Sequence, residues 1–195
     1  GASVFLAAPR PYLGEDLCAL YRLWLEPGEE PNTPLTRALF AEPPVAAKPG
    51  KGISFTYRAD RPSAAMHPDT DPPSLLSNGK WGSASSQSVQ YGGDAVIVAD
   101  LGKATPVETL HLMVYQRPGD FSVVSAQVAL SSDGSEWKVI SEIKNNNSTS
   151  GNFEENALVL SGDIGQTARY VRLTVRKSPD AKRILLGEIV IETEK

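Results

Sequence analysis

The chemically reactive side chains of this chain do not form a recognisable catalytic motif. Cys18, its one cysteine, stands beside Leu17 in a helical pattern, where a small buried apolar residue is the expected role. His67 and His111 share no metal-ligand spacing, because the first precedes a proline in a loop and the second alternates with apolar residues. A glycosidase-type carboxylate pair is recognised by its separation in space, and nothing in the sequence singles one out. Nucleophile-elbow, phosphate-loop and dinucleotide motifs do not occur, so we expect no catalysis within this segment.

A second group of residues has side chains suited to binding a sugar. Aromatic rings stack on the apolar C–H faces of sugars, and planar donors such as arginine suit their hydroxyl groups. Residues of these types lie in or beside turn-forming stretches: His67, Trp81, Tyr91, Tyr115, Arg117 and Phe121. Alternative roles stay open, since Trp81 and Tyr115 could cover the core and Arg117 could be solvated. Trp81 with Arg117 is the favoured ligand-contacting pair.

Composition limits the kinds of molecule that this chain is expected to bind. The 195 residues support one domain with an appendage or two small domains, and 41% hydrophobic residues suffice for a core. A net charge of -4 lacks the basic footprint of nucleic-acid binding, and the single cysteine excludes an internal disulfide. No apolar run approaches the roughly 20 residues that span a bilayer. Lys177, Lys182 and Arg183 form one basic run, which we interpret as a solvated turn. We expect neither a nucleic-acid partner nor membrane insertion.

Residues 1–51 differ from the rest of the chain. Apolar residues recur there at helical spacing: Leu17, Leu20, Tyr21 and Trp24. Thr33-Pro34 is typical of a second helix start, and the Pro- and Ala-rich run 41–51 reads as a linker. This pattern predicts an N-terminal extension, or the tail of an upstream domain, that ends at residue 51. Gly1-Ala2 resembles an expression-tag remnant, so we expect a segment of a longer protein.

From Gly52 onward, apolar residues alternate with polar ones, as in half-buried strands. The alternating sets are Ile53, Phe55 and Tyr57; Leu110, Leu112 and Val114; Val124, Ala126, Val128 and Leu130; and Val171, Leu173 and Val175. Turn clusters separate them. This pattern predicts a mainly β chain, with an antiparallel β-sandwich over 52–195 and a short mixed or helical extension before it.

Five short segments within residues 52–193 follow one another in a characteristic order. They are Leu75 to Gly79 (LLSNG), Ala95 to Gly102 (AVIVADLG), Val128 to Val139 (VALSSDGSEWKV), Ala168 to Val175 (ARYVRLTV) and Gly187 to Ile189 (GEI). In this set the chain resembles the discoidin domain, or coagulation factor V/VIII type C domain, of the galactose-binding-like superfamily, and its bacterial carbohydrate-binding members. Asp133-Gly134 suits a hairpin turn, and we expect Trp137 to be buried between two sheets.

The resemblance implies a jelly-roll sandwich whose loops at one end bind a ligand, most often a glycan in bacterial members. It also implies a structural Ca²⁺, with Asn78 and Glu188 at the positions of the family's Asp and Glu ligands. Asn78 is neutral, which weakens such a site, and Asp69 or Asp71 could restore the charge. The alternative is that Asn78-Gly79 is only a turn and Glu188 a surface or edge residue.

The function we expect is that of a non-catalytic carbohydrate-binding module. It would target an attached glycan-processing or cell-surface protein to a polysaccharide, with an upstream catalytic domain in the same chain. The family implies a secreted, periplasmic or cell-surface location. A structural or protein-interaction domain of the same fold, without a sugar site, is the alternative.

Overall fold

A computed structural model describes residues 52–147 and 151–193. The strands in those ranges are β1 Thr56–Ala59, β2 Val89–Tyr91, β3 Ala95–Gln116, β4 Val123–Ser131, β5 Lys138–Lys144, β6 Phe153–Lys177 and β7 Ile184–Glu192. A short 3₁₀ turn spans Leu75–Ser77. The helices predicted within 1–51, and the boundary after residue 51, lie outside the described residues. Within the described ranges, none of the helical structure is long and apolar enough to cross a bilayer.

Two long strands, β3 and β6, build both layers of the fold. The 95–100 part of β3 pairs with β1 and with 170–175 of β6, which in turn pairs with β4. After a register shift, the 105–116 part of β3 pairs with 153–168 of β6 and with β7. One layer therefore contains β1, β4 and β5, and the other contains β2 and β7. Since all these pairings are antiparallel, the predicted antiparallel β-sandwich is confirmed.

The core follows the alternation seen in the sequence. Val171, Leu173 and Val175 are buried from one layer, and Leu110 and Leu112 from the other, all within one apolar cluster. Successive strand residues point to opposite faces, so the intervening side chains turn outward. This alternation does not hold everywhere. Eight of the nine residues of β7 are buried, because the segment around Leu76 covers its second face, and Leu112 to Gln116 at the end of β3 are also all buried.

Trp137 does not lie between the sheets, and this prediction is wrong. The preceding turn forms as expected, with Gly134 at φ +81°. Trp137 is half-buried on the outer face, where its ring lies 4.5 Å from the Arg172 guanidinium carbon. The reason is the strand period: Val171 and Leu173 occupy the core side, so Arg172 and the ring that covers it lie outside.

Candidate functional site

Loops from four parts of the chain meet at one end of the sandwich. We call the polar residues joined there the loop cluster: His67, Gln90, Arg117, Asp120, Glu154 and Arg183. Backbone hydrogen bonds connect the loops, since Lys182 N donates to Asp120 O (2.7 Å) and Gln90 N donates to His67 O (3.0 Å). Ala84 N likewise donates to Glu154 O (2.7 Å). The polar side chains are therefore held by a hydrogen-bonded backbone rather than by free loops.

Arg117 begins the turn after β3 and pairs with two carboxylates. The turn closes through Asp120 N and Phe121 N, which both donate to Arg117 O (3.1 Å), with Gly119 at φ +74°. The guanidinium forms a two-point contact with Glu154 and also lies 3.3 Å from Asp120 Oδ2. The hydrogen bond from Arg117 is the main cause that lowers the pKa of Glu154 and raises that of Arg117. Both groups are therefore charged at neutral pH.

Arg183 shares the same carboxylate from the other side. Its terminal nitrogens donate to Asp120 Oδ2 (2.8 Å) and Gln90 Oε1 (3.1 Å). The Phe121 ring lies beneath both arginines, with guanidinium carbons 5.1 Å (Arg117) and 5.8 Å (Arg183) from its centroid. The interpretation of Arg183 as part of a solvated turn is wrong, because its side chain is only 21% exposed.

His67 presents a neutral imidazole beside Arg183. Its Nδ1 lies 2.9 Å from Ser88 Oγ, and that hydroxyl donates its one hydrogen to Ala84 O (2.5 Å). Nδ1 must then carry a hydrogen, which leaves Nε2 as an acceptor in the neutral ring. Partial burial, with a smaller contribution from Arg183, lowers the pKa of His67 below its usual 6.5. The ring is therefore uncharged at neutral pH.

Tyr115 holds the Trp81 segment from within the core. The hydroxyl of this fully buried residue lies 2.7 Å from the Gly82 carbonyl oxygen and 2.9 Å from that of Gln87, so these two acceptors share its one hydrogen. Burial, with Glu188 nearby, raises the pKa of Tyr115 to about 12. A Cβ on Gly187 would lie 3.1 Å from the Tyr115 ring, so a larger residue there would crowd this contact. Trp81 itself is half-buried.

Three of the six predicted ligand-binding residues are core residues in the structure. Tyr91 is 1% exposed, Tyr115 0% and Phe121 2%. Their rings face the interior because each belongs to a strand or bridge whose inner side packs on apolar neighbours. Their contribution to a site is to support the residues above them. His67, Trp81 and Arg117 remain partly or fully accessible.

Sequence reasoning missed Gln90, Asp120 and Glu154, which complete the loop cluster. Asp120 carried a usable signal, since it stands three residues after Arg117 within one turn. Glu154 had none, because it reaches Arg117 across 37 residues of sequence. Met66, whose side chain is 69% exposed beside Arg183, adds an apolar surface.

The charges of the loop cluster cancel. Two guanidiniums face two carboxylates, and His67 is neutral. What remains at the surface is a set of donors and acceptors held in place by ion pairs, next to apolar side chains. This surface suits an uncharged ligand rich in hydroxyl groups better than an anion.

The four predicted metal-binding residues fall in two places. Glu188 meets the Asn78-Gly79 turn, where Gly79 N donates to Glu188 Oε1 (2.9 Å). Its other oxygen, Oε2, is buried without a hydrogen-bond partner among the described residues. Desolvation, which outweighs the bonds from the turn, raises the pKa of Glu188 to about 7. Glu188 is 2% exposed and β7 lies between β2 and β3, so the alternative of a surface or edge residue is wrong.

Among the described residues, neither Asp69 nor Asp71 shares a hydrogen bond with that pair. Asp69 Oδ1 accepts hydrogen bonds from the backbone nitrogens of Thr70, Ser74 and Leu75, and its Oδ2 accepts one from the Tyr57 hydroxyl (2.5 Å). Asp69 therefore organises the turn before the 3₁₀ segment, and Asp71 is exposed. Across the ranges the structure describes, no three His, Cys, Asp or Glu side chains are grouped to hold a metal.

This chain is similar to one known protein family and to several solved structures. Residues 55–189 match the family model of the F5/8 type C domain. No curated protein matches the chain.

Several solved structures share the architecture at low sequence identity. The module CpGH89CBM32-5 from Clostridium perfringens, in complex with GalNAc-beta-1,3-galactose, has a TM-score of 0.52 at 13% identity, covering 71% of this chain and 95% of that one. The CBM32 of AlyQ, in complex with 4,5-unsaturated mannuronic acid, has a TM-score of 0.51 at 20% identity over 73% of this chain and 98% of that one. The family 32 module of NanJ from C. perfringens, in complex with galactose, has a TM-score of 0.50 at 14% identity, over 70% and 92%. These likenesses show the shared fold.

Proposed function

Since residues 55–189 match its model, this chain belongs to the F5/8 type C domain family, and we propose that it is a carbohydrate-binding module whose loop cluster binds a neutral sugar. The observation that carries the proposal is the balanced network in which Arg117 and Arg183 share Asp120. It supplies fixed hydrogen-bond donors without net charge. Solved relatives that hold galactose or GalNAc-beta-1,3-galactose support the same ligand class.

Each accessible residue has a distinct role in this proposal. His67 Nε2 accepts a hydrogen bond from a sugar hydroxyl, since Nδ1 is already engaged with Ser88. Arg117 donates to ring or hydroxyl oxygens with the nitrogen hydrogens that its two carboxylate partners leave free. Trp81 and Met66 offer apolar surface to the C–H face of the sugar. The segment itself is proposed to be non-catalytic.

The biological role follows from that binding. The module would hold an attached glycan-processing or cell-surface protein close to a polysaccharide, outside the cytoplasm. An upstream catalytic domain in the same chain fits this role. Binding of a single site is expected to be weak, and attachment to a polymer with many copies of the ligand would raise the effective affinity.

We also propose that the Glu188 site holds a calcium ion. The fit rests on one buried, unpartnered carboxylate oxygen, Oε2, beside the Asn78-Gly79 turn. Calcium takes oxygen ligands, and carbonyls of the turn would complete the set. Asn78 Oδ1 already accepts a hydrogen bond from Lys80 N (2.8 Å), so Glu188 is the principal ligand. The ion would tie the Trp81 segment to β7.

A glycan array of neutral oligosaccharides, followed by calorimetry with the best ligand, tests the sugar proposal. We expect β-galactosides to bind, and Trp81→Ala and Arg117→Ala each to weaken binding about ten-fold. The matched control is Arg169→Ala, at the opposite end of the sandwich, whose side chain is exposed and paired with Asp100 as Arg117 is with Glu154. It should bind like the unmodified chain. An array without neutral hits, with and without calcium, would overturn the proposal in favour of a structural or protein-interaction domain.

A further inference from the structure

A second concave surface lies on the outer face of the layer that contains β1. It is a groove of about 400 Å³, lined by Thr56, Arg58, Val98, Asp100, Asp133 and Tyr170 among others. Strand register explains why these residues meet. Thr56, Asp100 and Tyr170 are cross-strand neighbours in one row of β1, β3 and β6. Arg58 and Val98 are cross-strand neighbours in the next outward-facing row. The Asp133-Gly134 turn closes one side, with Gly134 against the Tyr170 ring.

The groove is separate from the loop cluster. Tyr170 is near one end of its part of β6, and Lys177, which leads into the loop that carries Arg183, is at the other. Seven residues of extended strand separate them, which corresponds to roughly 23 Å. A ligand in the groove therefore cannot be the sugar held by the loop cluster.

One arginine lines the groove and a second lies beside it, and neither is paired with a carboxylate of the described residues. Arg58 makes no hydrogen bond or ion pair with any other residue of the described ranges, and it is exposed. Arg172 pairs with Val98 from the opposite side to Arg58, and its guanidinium contacts the Trp137 ring rather than a carboxylate. Across β3, the Cα atoms of the two arginines are about two strand spacings apart, roughly 10 Å. Val98 forms an apolar floor between them.

The carboxylates that line the groove are already engaged. Asp100 forms a two-point ion pair with Arg169 (3.0 and 3.1 Å), and the Arg169 hydrogen bonds are the main cause that lowers its pKa. Asp133 accepts hydrogen bonds from Ser135 N (2.9 Å) and Glu136 N (3.1 Å) within its own turn. The charge of Asp100 is therefore balanced by Arg169, and Asp133 is the one other carboxylate of the lining that stands beside Arg58 and Arg172.

We propose that this groove is a second binding site, specific for a carboxylated oligosaccharide such as a short chain of uronic acids. The planar guanidiniums of Arg58 and Arg172 suit carboxylate groups presented at two points along a chain. The Thr56 and Tyr170 hydroxyls have no hydrogen-bond partner among the described residues, so both are available to sugar hydroxyls. Val98 provides contact for a sugar ring.

An oligosaccharide fits this surface better than an acidic peptide. An extended peptide gains most from backbone hydrogen bonds at an open sheet edge. Such an edge exists on β1, which pairs with β3 alone among the described strands. The groove instead crosses the face of the sheet, where backbone groups are already paired and only side chains are offered.

Titration of the whole chain with a galacturonate tetramer, compared with the neutral galactose tetramer, tests this site. The two ligands differ in the carboxylate, so the affinity of the galacturonate tetramer should fall as the salt concentration rises. Arg58→Gln should weaken its binding about ten-fold, because one charge-assisted contact is lost while side-chain polarity remains. Arg61→Gln is the matched control, since Arg61 is also exposed but pairs with Asp60. Amide NMR shifts should move around Val98 and Tyr170.

Any one of four results would overturn the second site. The galacturonate tetramer does not bind, or its affinity falls equally in Arg61→Gln. Its affinity falls in Arg117→Ala instead of Arg58→Gln, or a tetraglutamate peptide binds equally well. Failure of the loop cluster to bind neutral sugars leaves this test unaffected, because Arg117→Ala and Arg58→Gln report on different ends of the sandwich. In Arg58→Gln, neutral-sugar binding should be unchanged.

Discussion

Asp120 Oδ2 lies 2.8 Å from a terminal nitrogen of Arg183, although 63 residues separate the two in sequence. The same oxygen lies 3.3 Å from Arg117. One carboxylate therefore orients both arginines of the loop cluster and joins the loop after β3 to the loop before β7.

Asp120→Ala should reduce neutral-sugar affinity about ten-fold, because both guanidiniums lose a fixed orientation. The fold should lose little stability, since partly exposed ion pairs contribute about 0–1 kcal/mol. Calorimetry and thermal melts separate the two effects. Asp180→Ala, at an exposed position in the neighbouring turn, is the control and should change neither. Unchanged affinity in Asp120→Ala would remove the shared carboxylate from the binding mechanism.

Tyr115→Phe should lower the free energy of unfolding by about 1–3 kcal/mol, because the partly buried carbonyls of Gly82 and Gln87 lose the donor that they share. It should also weaken sugar binding, since the Trp81 segment is no longer held against the core. Denaturant unfolding and calorimetry measure the two effects. Tyr91→Phe is the matched control, because Tyr91 is as buried but its hydroxyl has no described hydrogen-bond partner. Equal destabilisation by both changes would contradict this role of the Tyr115 hydroxyl.

Neutral-sugar affinity should be constant between pH 8 and pH 6.5 and fall at lower pH. The pKa of His67 is lowered in the folded protein, so protonation occurs only below the usual histidine range. The added proton turns Nε2 from an acceptor into a donor and places a positive charge near Arg183. A pH series of titrations measures this. In His67→Gln the acid-side decrease should disappear; if it persists, another group is responsible.

Calcium should raise the melting temperature of the chain, and Glu188→Gln should abolish the shift. At a calcium concentration 100-fold above Kd, binding to the folded state contributes about 2.7 kcal/mol. Thermal melts in calcium and in chelator measure it, independently of sugar binding. Asp71→Asn removes an exposed carboxylate of the neighbouring loop and should keep the shift. The same melting temperature in both buffers would contradict the calcium proposal.

In chelator, Glu188 should destabilise the fold as pH rises. Its folded-state pKa of about 7 lies above the usual 4.5, so the folded protein retains a proton that the unfolded chain releases. The stabilisation is complete below pH 4.5 and is lost as pH rises through 7. From pH 5 to pH 8, the free energy of unfolding of the unmodified chain should therefore fall by about 2 kcal/mol relative to that of Glu188→Gln. Urea unfolding at the two pH values checks the sign.

The strands were predictable because their signal is local. Alternation such as Leu110, Leu112 and Val114 reports which face of a strand is buried, whatever the strand pairs with. The turn at Asp133-Gly134 was predictable for the same reason, since glycine accepts the positive φ observed there. These local features, taken in order, were also enough to indicate the family.

The site was only partly predictable, because residue type does not decide which way a side chain faces. Tyr115 and Arg117 are two positions apart, yet one is fully buried and the other exposed. Trp137 followed a correctly predicted turn but lies outside, because Arg172 on the neighbouring strand offers it a cation.

The amino-acid sequence by itself determined the β-sandwich, its turns and the types of residue placed in its loops, since these depend on neighbours a few positions away. Only the tertiary structure decided which distant residues meet: Asp120 with Arg183, Gly79 with Glu188 across 109 residues, and Arg58 with Val98 in the groove. The physical reason is that strand register and the bends of β3 and β6 bring these positions together. Register is set by the packing of the whole sandwich and not by any one segment.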